Sequence, residues 1–168
     1  MKRLVLKFGG TSVGNVAKIK KVANIIKKRH QEGNEIIVIV SAMSGNTNAL
    51  LDKSKLVSDN FDTKELDVLL SSGEQVSCAL LSGAIIDLGL KSRSWMGWQI
   101  PILTDNNHSS ASIINIETKE IIKFISKKGV AIIPGFQGIS SSGRITTLGR
   151  GGSDLSAVAI AKFFDTDS

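Results

Sequence analysis

A lysine and two adjacent glycines near the start of the chain have the residue types and order that suit a phosphate. Lys7 lies in a short apolar run, and Gly9, Gly10, Thr11 and Ser12 follow it. Glycines let a phosphate approach backbone N–H groups closely, and a lysine ammonium pairs with phosphate oxygens. Because the lysine precedes the glycines, this is not the nucleotide-binding loop in which lysine follows them. Taken alone, the segment is more typical of a plain tight turn.

A second glycine-rich segment stands immediately before an apolar helical pattern. It consists of Gly149, Arg150, Gly151, Gly152, Ser153 and Asp154. Free N–H groups in the first turn of a helix bind anions, and an arginine can hold one with two hydrogen bonds. The serine or the aspartate could cap the helix, so a simple hairpin-to-helix turn is the alternative interpretation.

One glutamate is predicted on the apolar side of a long helix. Glu74 follows Leu70 by four residues, so its carboxylate must pair with a cation such as a substrate ammonium, or reach water at the edge of the face. Cys78, His30 and His108 show no metal-ligand spacing. Cys78 is typical of a small core residue, and His108 is interpreted as a polar loop residue and not as a base.

Composition favours an ordinary globular protein. The net charge is +6, but most of the early basic residues fall on one predicted helix, and two Trp, six Phe and no Tyr leave them without stacking aromatics. A solvated helix face is therefore favoured over nucleic-acid binding. No continuous apolar run approaches the ~18 residues that span a bilayer. The single Cys78 excludes an internal disulfide framework, which fits a cytoplasmic location.

The elements that must position these residues form one predicted α/β unit. Apolar runs at 4–8, 36–40 and 130–134 predict buried strands, and the spacing over 16–26 predicts a helix between the first two. Strand, helix, strand predicts parallel pairing with a right-handed crossover. The loops 9–14, 41–47 and 135–138 then open at one sheet edge, where ligands bind.

Further patterns complete this prediction. Helices are predicted over 64–88, 117–128 and 153–164, one or two strands between 93 and 104, and a hairpin over 137–148. The apolar side of the long helix is predicted to carry Leu66, Leu69, Leu70, Val76, Leu80 and Leu81.

Six motifs in order resemble the aspartate kinases of the amino-acid kinase family, over essentially the whole chain. They are Lys7 through Val13, Val40 through Thr47, Leu69 through Gln75, Gly97 through Gln99, Gly135 through Gly138, and Thr146 through Asp154. The resemblance implies a three-layer α/β/α sandwich with a mainly parallel sheet. It also implies transfer of the γ-phosphate of ATP, with Mg²⁺, to the β-carboxylate of L-aspartate. The product would be 4-phospho-L-aspartate, on the route to lysine, threonine and methionine.

The resemblance implies roles for individual residues. Lys7 and Asp154 would be catalytic, Lys7 touching the transferring phosphate and Asp154 orienting it. The nucleotide phosphates would meet Lys7, Gly9, Gly10, Thr11, Ser12, Gly151 and Gly152. Aspartate would be held by Ser41, Thr47, Glu74, Phe136, Arg150 and Ser153, with Glu74 on the ammonium and Arg150 on a carboxylate. No protein metal ligands are implied, and the full-length protein is expected to be a homo-oligomer.

The chain ends soon after the helix that follows Asp154, whereas the family continues into adenine-binding strands and regulatory domains. Residues 1–168 are therefore expected to be the substrate- and phosphate-binding part of a C-terminally truncated kinase domain. Three interpretations stay open. They are an aspartate kinase fragment, which is favoured, a related kinase acting on glutamate, acetylglutamate or a nucleotide, and an inactive binding or regulatory module.

Overall fold

Residues 2–165 are described by a computed structural model, and they form eight strands and five helices. In chain order these are β1 (Arg3–Phe8), α1 (Val16–Gln31), β2 (Glu35–Val40), α2 (Asn46–Val57), α3 (Thr63–Asp87), β3 (Ser92–Ser94), β4 (Ile102–Thr104), β5 (Ile113–Ile116), α4 (Lys119–Ile125), β6 (Val130–Pro134), β7 (Gln137–Ser140), β8 (Ile145–Thr147) and α5 (Gly152–Phe163).

The main sheet is parallel throughout, with strand order β1-β2-β6-β3. Every residue of β2 and β6 is buried, which explains why both read as continuous apolar runs instead of alternating ones. Successive side chains of β2 face opposite ways, so Ile36 and Val38 enter one core cluster while Ile37 and Ile39 enter the other. Both faces of this sheet therefore need a cover.

Helices supply that cover on each side. Ile19 and Ile26 of α1 join Leu81 and Ile85 of α3 over one face. Residues of α4 and α5 pack on the other face, namely Ile121, Ile125 and Ile160. The predicted three-layer α/β/α sandwich around a mainly parallel sheet is confirmed.

The orientation of α3 differs from the prediction in part. Leu70 and Leu81 are buried as expected, but Val76 is 47% and Leu80 42% exposed, so their assignment to the covered side is wrong. The covered side instead includes small and polar residues, Ser71, Gly73, Ser77, Cys78 and Ser82. Small side chains let α3 approach the sheet and its neighbouring helices closely, and that spacing cannot be read from apolar periodicity alone.

A second, mixed sheet contains predicted and unpredicted strands, and one further helix was not predicted. The sheet has strand order β5-β4-β7-β8, and β7 with β8 forms the predicted hairpin. The sequence patterns predicted neither β5 nor α2, and α4 is shorter than the predicted span 117–128. Only part of α2 and of β5 is buried, so their apolar patterns are short or weak. This is why the sequence patterns did not predict them.

By length and composition alone, α3 is the one helix in the described residues that could cross a membrane. The same helix carries Asp67 and Glu74 on its buried side, together with Leu81 and Ile85 against the sheet. A core helix of a globular protein passes the same test, so this is weak evidence for a membrane span.

The orientation of α3 leads to a prediction about stability. Leu81→Ala should lower the free energy of unfolding by about 3 kcal/mol, because it leaves a cavity under α3. The matched change Leu80→Ala, one residue earlier, should cost less than about 1 kcal/mol, since that side chain is partly in solvent. Urea denaturation followed by circular dichroism measures both. Equal losses would mean that Leu80 is as deeply buried as Leu81, which contradicts this orientation of α3.

Candidate functional site

The loops that follow β1, β2 and β6 meet at one edge of the parallel sheet. Backbone hydrogen bonds join them in turn: Ser41 donates to the Phe8 carbonyl at 3.1 Å, and Gly135 donates to the Val40 carbonyl at 2.9 Å. Ser44 also donates to the Gly10 carbonyl at 3.2 Å. The predicted convergence of these three loops is confirmed, and α5 begins beside them.

An open cavity of about 330 Å³ lies at this edge. Its lining consists of Lys7, Ser41, Ala42, Thr47, Glu74, Phe136, Gly149, Arg150, Gly151, Gly152, Ser153 and Asp154. All six residues predicted to hold a substrate are among them, as are both predicted catalytic residues. Residues separated by more than a hundred positions are thus brought together around one space.

Glu74 is the buried acid of this cavity, with only 4% of its surface exposed. Its Oε1 accepts a hydrogen bond from the Ala42 N–H at 3.2 Å, but Oε2 has no partner among the described residues. Burial raises the pKa of Glu74 from 4.5 to about 7, and the Ala42 N–H lowers it by a smaller amount. A buried carboxylate oxygen without a partner is costly, so the site is built to receive a cationic or hydrogen-donating group.

Two basic side chains face the same cavity. Lys7 Nζ lies 2.8 Å from Asp154 Oδ1, an ion pair between β1 and the first turn of α5. The Arg150 side chain is exposed and makes no hydrogen bond or ion pair with any residue in 2–165. One guanidinium therefore stays available for an anion, and one ammonium is held in place by a carboxylate.

The turn after β6 has strained geometry beside the cavity. Phe136 has φ of 70°, a left-handed conformation that is uncommon for an aromatic residue. Its N–H donates to Ser156 Oγ at 2.9 Å, and a Cβ on Gly152 would come within 2.6 Å of the phenyl ring. The ring is thus packed directly on the start of α5, and any side chain at position 152 would displace it. Strain of this kind is characteristic of ligand sites.

The start of α5 differs from the prediction in its cap. Gly151, with φ of 74°, is the N-cap, and no side chain accepts a hydrogen bond there, so capping by Ser153 or Asp154 is wrong. Asp154 is instead engaged with Lys7. The N–H groups of Gly152 and Asp154 donate to the Gly149 and Gly151 carbonyls at 3.1 and 3.0 Å, whereas those of Gly151 and Ser153 have no partner among the described residues. Both of these residues line the cavity, and a helix N-terminus there favours an anion.

Residues 9–12 do not line the cavity, but Gly9 lies beside it, since a Cβ on Gly9 would come within 3.4 Å of Lys7 Nζ. A Cβ on Gly10 would lie 2.7 Å from the Ala42 carbonyl oxygen, so this glycine lets the first loop pack on the second. Ser12 donates its N–H to the Gly9 carbonyl at 2.9 Å. The N–H groups of Gly10 and Thr11 have no partner among the described residues. The prediction that this loop meets phosphates stays a prediction.

Two lining residues, Ala42 and Gly149, are not among the predicted site residues. Ala42 contributes its backbone N–H, and the role of a backbone group cannot be predicted from the type of the side chain. Gly149 belongs to the glycine-rich segment already singled out, and its φ of 74° gives the physical reason for a glycine there.

Comparison with known proteins identifies the family to which the chain belongs. Residues 2–168 match the description of the amino acid kinase family. The chain belongs to this family. It is 45% identical to an aspartate kinase of Pseudomonas putida over 99% of its own length and 41% of that protein. It is 46% identical to an aspartokinase of Geobacillus stearothermophilus over 94% of its own length and 39% of that protein. The chain thus spans about two fifths of these family members.

Solved structures of family members have the same fold. An aspartate kinase from Synechocystis superposes with a TM-score of 0.83 at 41% identity, covering 99% of this chain and 27% of that one. E. coli aspartokinase III in complex with aspartate and ADP also gives 0.83, at 21% identity over 99% of this chain and 47% of that one. A Giardia carbamate kinase gives 0.75 at 13% identity, over 99% and 72%. At such low identities, the last two show the fold alone.

The burial of Glu74 leads to a prediction about pH. Its pKa is raised in the folded state, so its contribution to stability is fully present below pH 4.5 and is lost as pH rises through about 7. Between pH 5 and pH 8, the free energy of unfolding should fall by about 2 kcal/mol more in the wild type than in Glu74→Gln. Urea denaturation at the two pH values measures this difference. Parallel behaviour of the two proteins would mean that Glu74 is solvated.

Proposed function

We propose that this chain supplies the aspartate- and phosphate-binding part of an aspartate kinase. In this reaction the γ-phosphate of ATP passes to the β-carboxylate of L-aspartate and 4-phospho-L-aspartate forms. The observation that carries the proposal is the unpartnered Glu74 Oε2 in the same cavity as the free Arg150 guanidinium and Lys7. The similarity to aspartate kinases of Pseudomonas putida and Geobacillus stearothermophilus supports it.

An amino acid with two carboxylates matches the charges of the cavity. The α-ammonium would pair with Glu74 and satisfy its free oxygen, while Arg150 would hold a carboxylate. Ser41, Thr47 and Ser153 would add hydrogen bonds, and the ring of Phe136 would close one side. An N-acylated amino acid has no ammonium for Glu74, which favours a free amino acid over acetylglutamate.

The proposed chemistry needs no general base, because a side-chain carboxylate is already ionised at neutral pH. The difficulty is that an anion must approach the anionic phosphate. Lys7 would neutralise charge on the transferring group, and Asp154 would keep its ammonium aimed through the 2.8 Å ion pair. The uncapped N-terminus of α5, with Gly151 and Gly152, would add partial positive charge. Positioning and charge neutralisation are the main contributions that phosphoryl transfer requires from a protein.

Magnesium fits this arrangement as an ion carried by the nucleotide. Within residues 2–165, no group of three or more His, Cys, Asp or Glu side chains is placed to hold a metal ion. Mg²⁺ commonly binds through phosphate oxygens and water with few protein ligands, and it would supply further neutralisation there. Of the cavity acids, Glu74 is buried toward the substrate end and Asp154 is paired with Lys7.

The remaining parts of the proposal concern the protein beyond this cavity. The loop of residues 9–12 would face the nucleotide phosphates, with the unpartnered N–H groups of Gly10 and Thr11 as donors. Adenine-binding and regulatory parts are proposed to lie in the portion of such kinases that this chain does not span. A homo-oligomer in the cytoplasm is proposed on family resemblance.

A binding experiment tests the substrate. L-aspartate should bind with heat released in calorimetry, and its affinity should rise as pH increases from 6 to 8, because the ammonium pairs only with ionised Glu74. In Glu74→Gln, binding should be at least about tenfold weaker and should lose this pH dependence. Succinate is the matched control ligand, since it keeps both carboxylates and lacks the amino group without adding bulk. Equal affinity for both ligands would contradict the proposed role of Glu74.

A phosphorylation experiment tests the reaction. Lys7→Ala in the native protein should reduce phosphate transfer to L-aspartate by at least about a hundredfold while aspartate affinity changes little, because Lys7 acts on the phosphate. Phosphate release with L-aspartate and with L-glutamate measures activity and specificity. Activity on glutamate alone would point to the related kinase. Aspartate binding without ATP binding would point to a non-enzymatic module, and equal loss of both properties in Lys7→Ala would make Lys7 structural.

A further inference from the structure

A second buried carboxylate lies on the same side of α3 as Glu74, outside the cavity. Asp67 precedes Glu74 by seven residues, two helical turns or about 10 Å along the axis. Its exposure is 0%, and it lines no part of the substrate cavity. Whereas Glu74 has an unpartnered oxygen, Asp67 is fully engaged. The two carboxylates therefore have different roles. The proposed reaction gives a role to Glu74 but leaves that of Asp67 unexplained.

Asp67 collects hydrogen bonds from two separate parts of the chain. From the segment between β4 and β5 it accepts the His108 Nδ1–H at 2.7 Å, the Ser109 N–H at 3.1 Å and the Ser109 hydroxyl at 3.3 Å. From the end of β8 it accepts the Thr147 hydroxyl at 2.6 Å. A carboxylate that accepts several hydrogen bonds in a buried place forms a strong, geometrically defined junction.

Both parts held by Asp67 lead to the turn that carries Arg150. Thr147 is 1% exposed and is followed after one residue by Gly149, where that turn begins. Ser109 approaches the same turn from the other side, because a Cβ on Gly149 would lie 3.1 Å from the Ser109 carbonyl oxygen. Ser109 itself has φ of 65°, a conformation that needs support, and Asp67 holds its N–H.

Within the turn, one hydrogen bond runs from the Gly152 N–H to the Gly149 carbonyl at 3.1 Å, and just before it the Leu148 N–H donates to the Phe136 carbonyl at 2.9 Å. Gly149 and Gly151 both have φ of 74°, and neither has a side chain that could lock the backbone. Arg150 makes no contact of its own with a described polar group. Its place is therefore set by the two ends of the turn, which are the start of α5 and the end of β8.

We propose that Asp67 is a positioning residue that holds the Arg150 turn in place by joining Thr147 to the loop of His108 and Ser109. This inference rests on the proposed function, because Arg150 is taken to hold the carboxylate of the substrate. Asp67 does not touch the substrate. It affects the affinity for L-aspartate only by fixing the position of Arg150, and the positions of Glu74 and Lys7 do not depend on it.

Two substitutions at Thr147 test this, because each changes a single group of the side chain: one replaces the hydroxyl and the other removes the methyl. Thr147→Val keeps the shape of the side chain but removes the hydrogen bond to Asp67, and Thr147→Ser keeps the hydrogen bond and is the matched control. We expect Thr147→Val to weaken L-aspartate binding by about tenfold in calorimetry. Thr147→Ser should stay within about twofold of the wild type.

A double-mutant cycle distinguishes a change in the position of Arg150 from a general loss of stability around the cavity. In the Arg150→Ala background, Thr147→Val should have almost no further effect on aspartate affinity, because the guanidinium whose position it changes is absent. Equal effects of Thr147→Val with and without Arg150 would overturn the proposal, and so would unchanged affinity in Thr147→Val.

Amide hydrogen exchange without any ligand provides an independent measurement. Residues 148–152 should exchange faster in Thr147→Val than in Thr147→Ser or the wild type, while β6 should be unchanged. Unaltered exchange in the turn would also overturn the proposal. If the wild-type protein fails to bind L-aspartate, the proposed function fails, and the exchange result alone then decides whether Asp67 positions this turn.

Discussion

Burial of β2 and β6 on both faces is the constraint on which the rest of the structure depends. Their side chains alternate between the two core clusters, so neither strand can shift register by one residue without exchanging its two sets of contacts. Parallel pairing then places the carboxyl ends of β1, β2 and β6 at one edge. These strand ends carry Lys7, Ser41 and Phe136 to the cavity, while Glu74 reaches it from α3.

The site is assembled at a cost to stability that the same core offsets. Glu74 is held in a helix that packs against the sheet, where burial raises its pKa to about 7. Phe136 keeps a left-handed backbone conformation because Ser156 and the start of α5 hold it. Both features cost stability, which is the usual balance between stability and a site kept ready for a ligand.

Much of the fold and of the site could be predicted from the sequence, and the failures have physical causes. Apolar runs such as 36–40 and 130–134 are strong signals, because a strand buried on both faces places nearly every side chain in an apolar core. The outward orientation of Val76 and Leu80 could not be predicted, since small residues such as Ser77 and Cys78 pack more closely on the sheet. The cap of α5 was missed because Asp154 pairs with Lys7, a partner 147 positions away.

Lys7, Glu74 and Arg150 were each ambiguous in isolation, since a tight turn, a capped helix start and a glutamate reaching water explain the same local patterns. Six motifs in the order of a known family are what predicted from the sequence that the three residues share a site for charged groups. Only the tertiary structure decided which polar groups of these residues are paired and which are free. It left one oxygen of Glu74 unpartnered, joined Lys7 to Asp154 at 2.8 Å and kept Arg150 free. It also made Asp67 a junction between distant segments. These differences depend on distances between residues far apart in the chain, which no local pattern encodes.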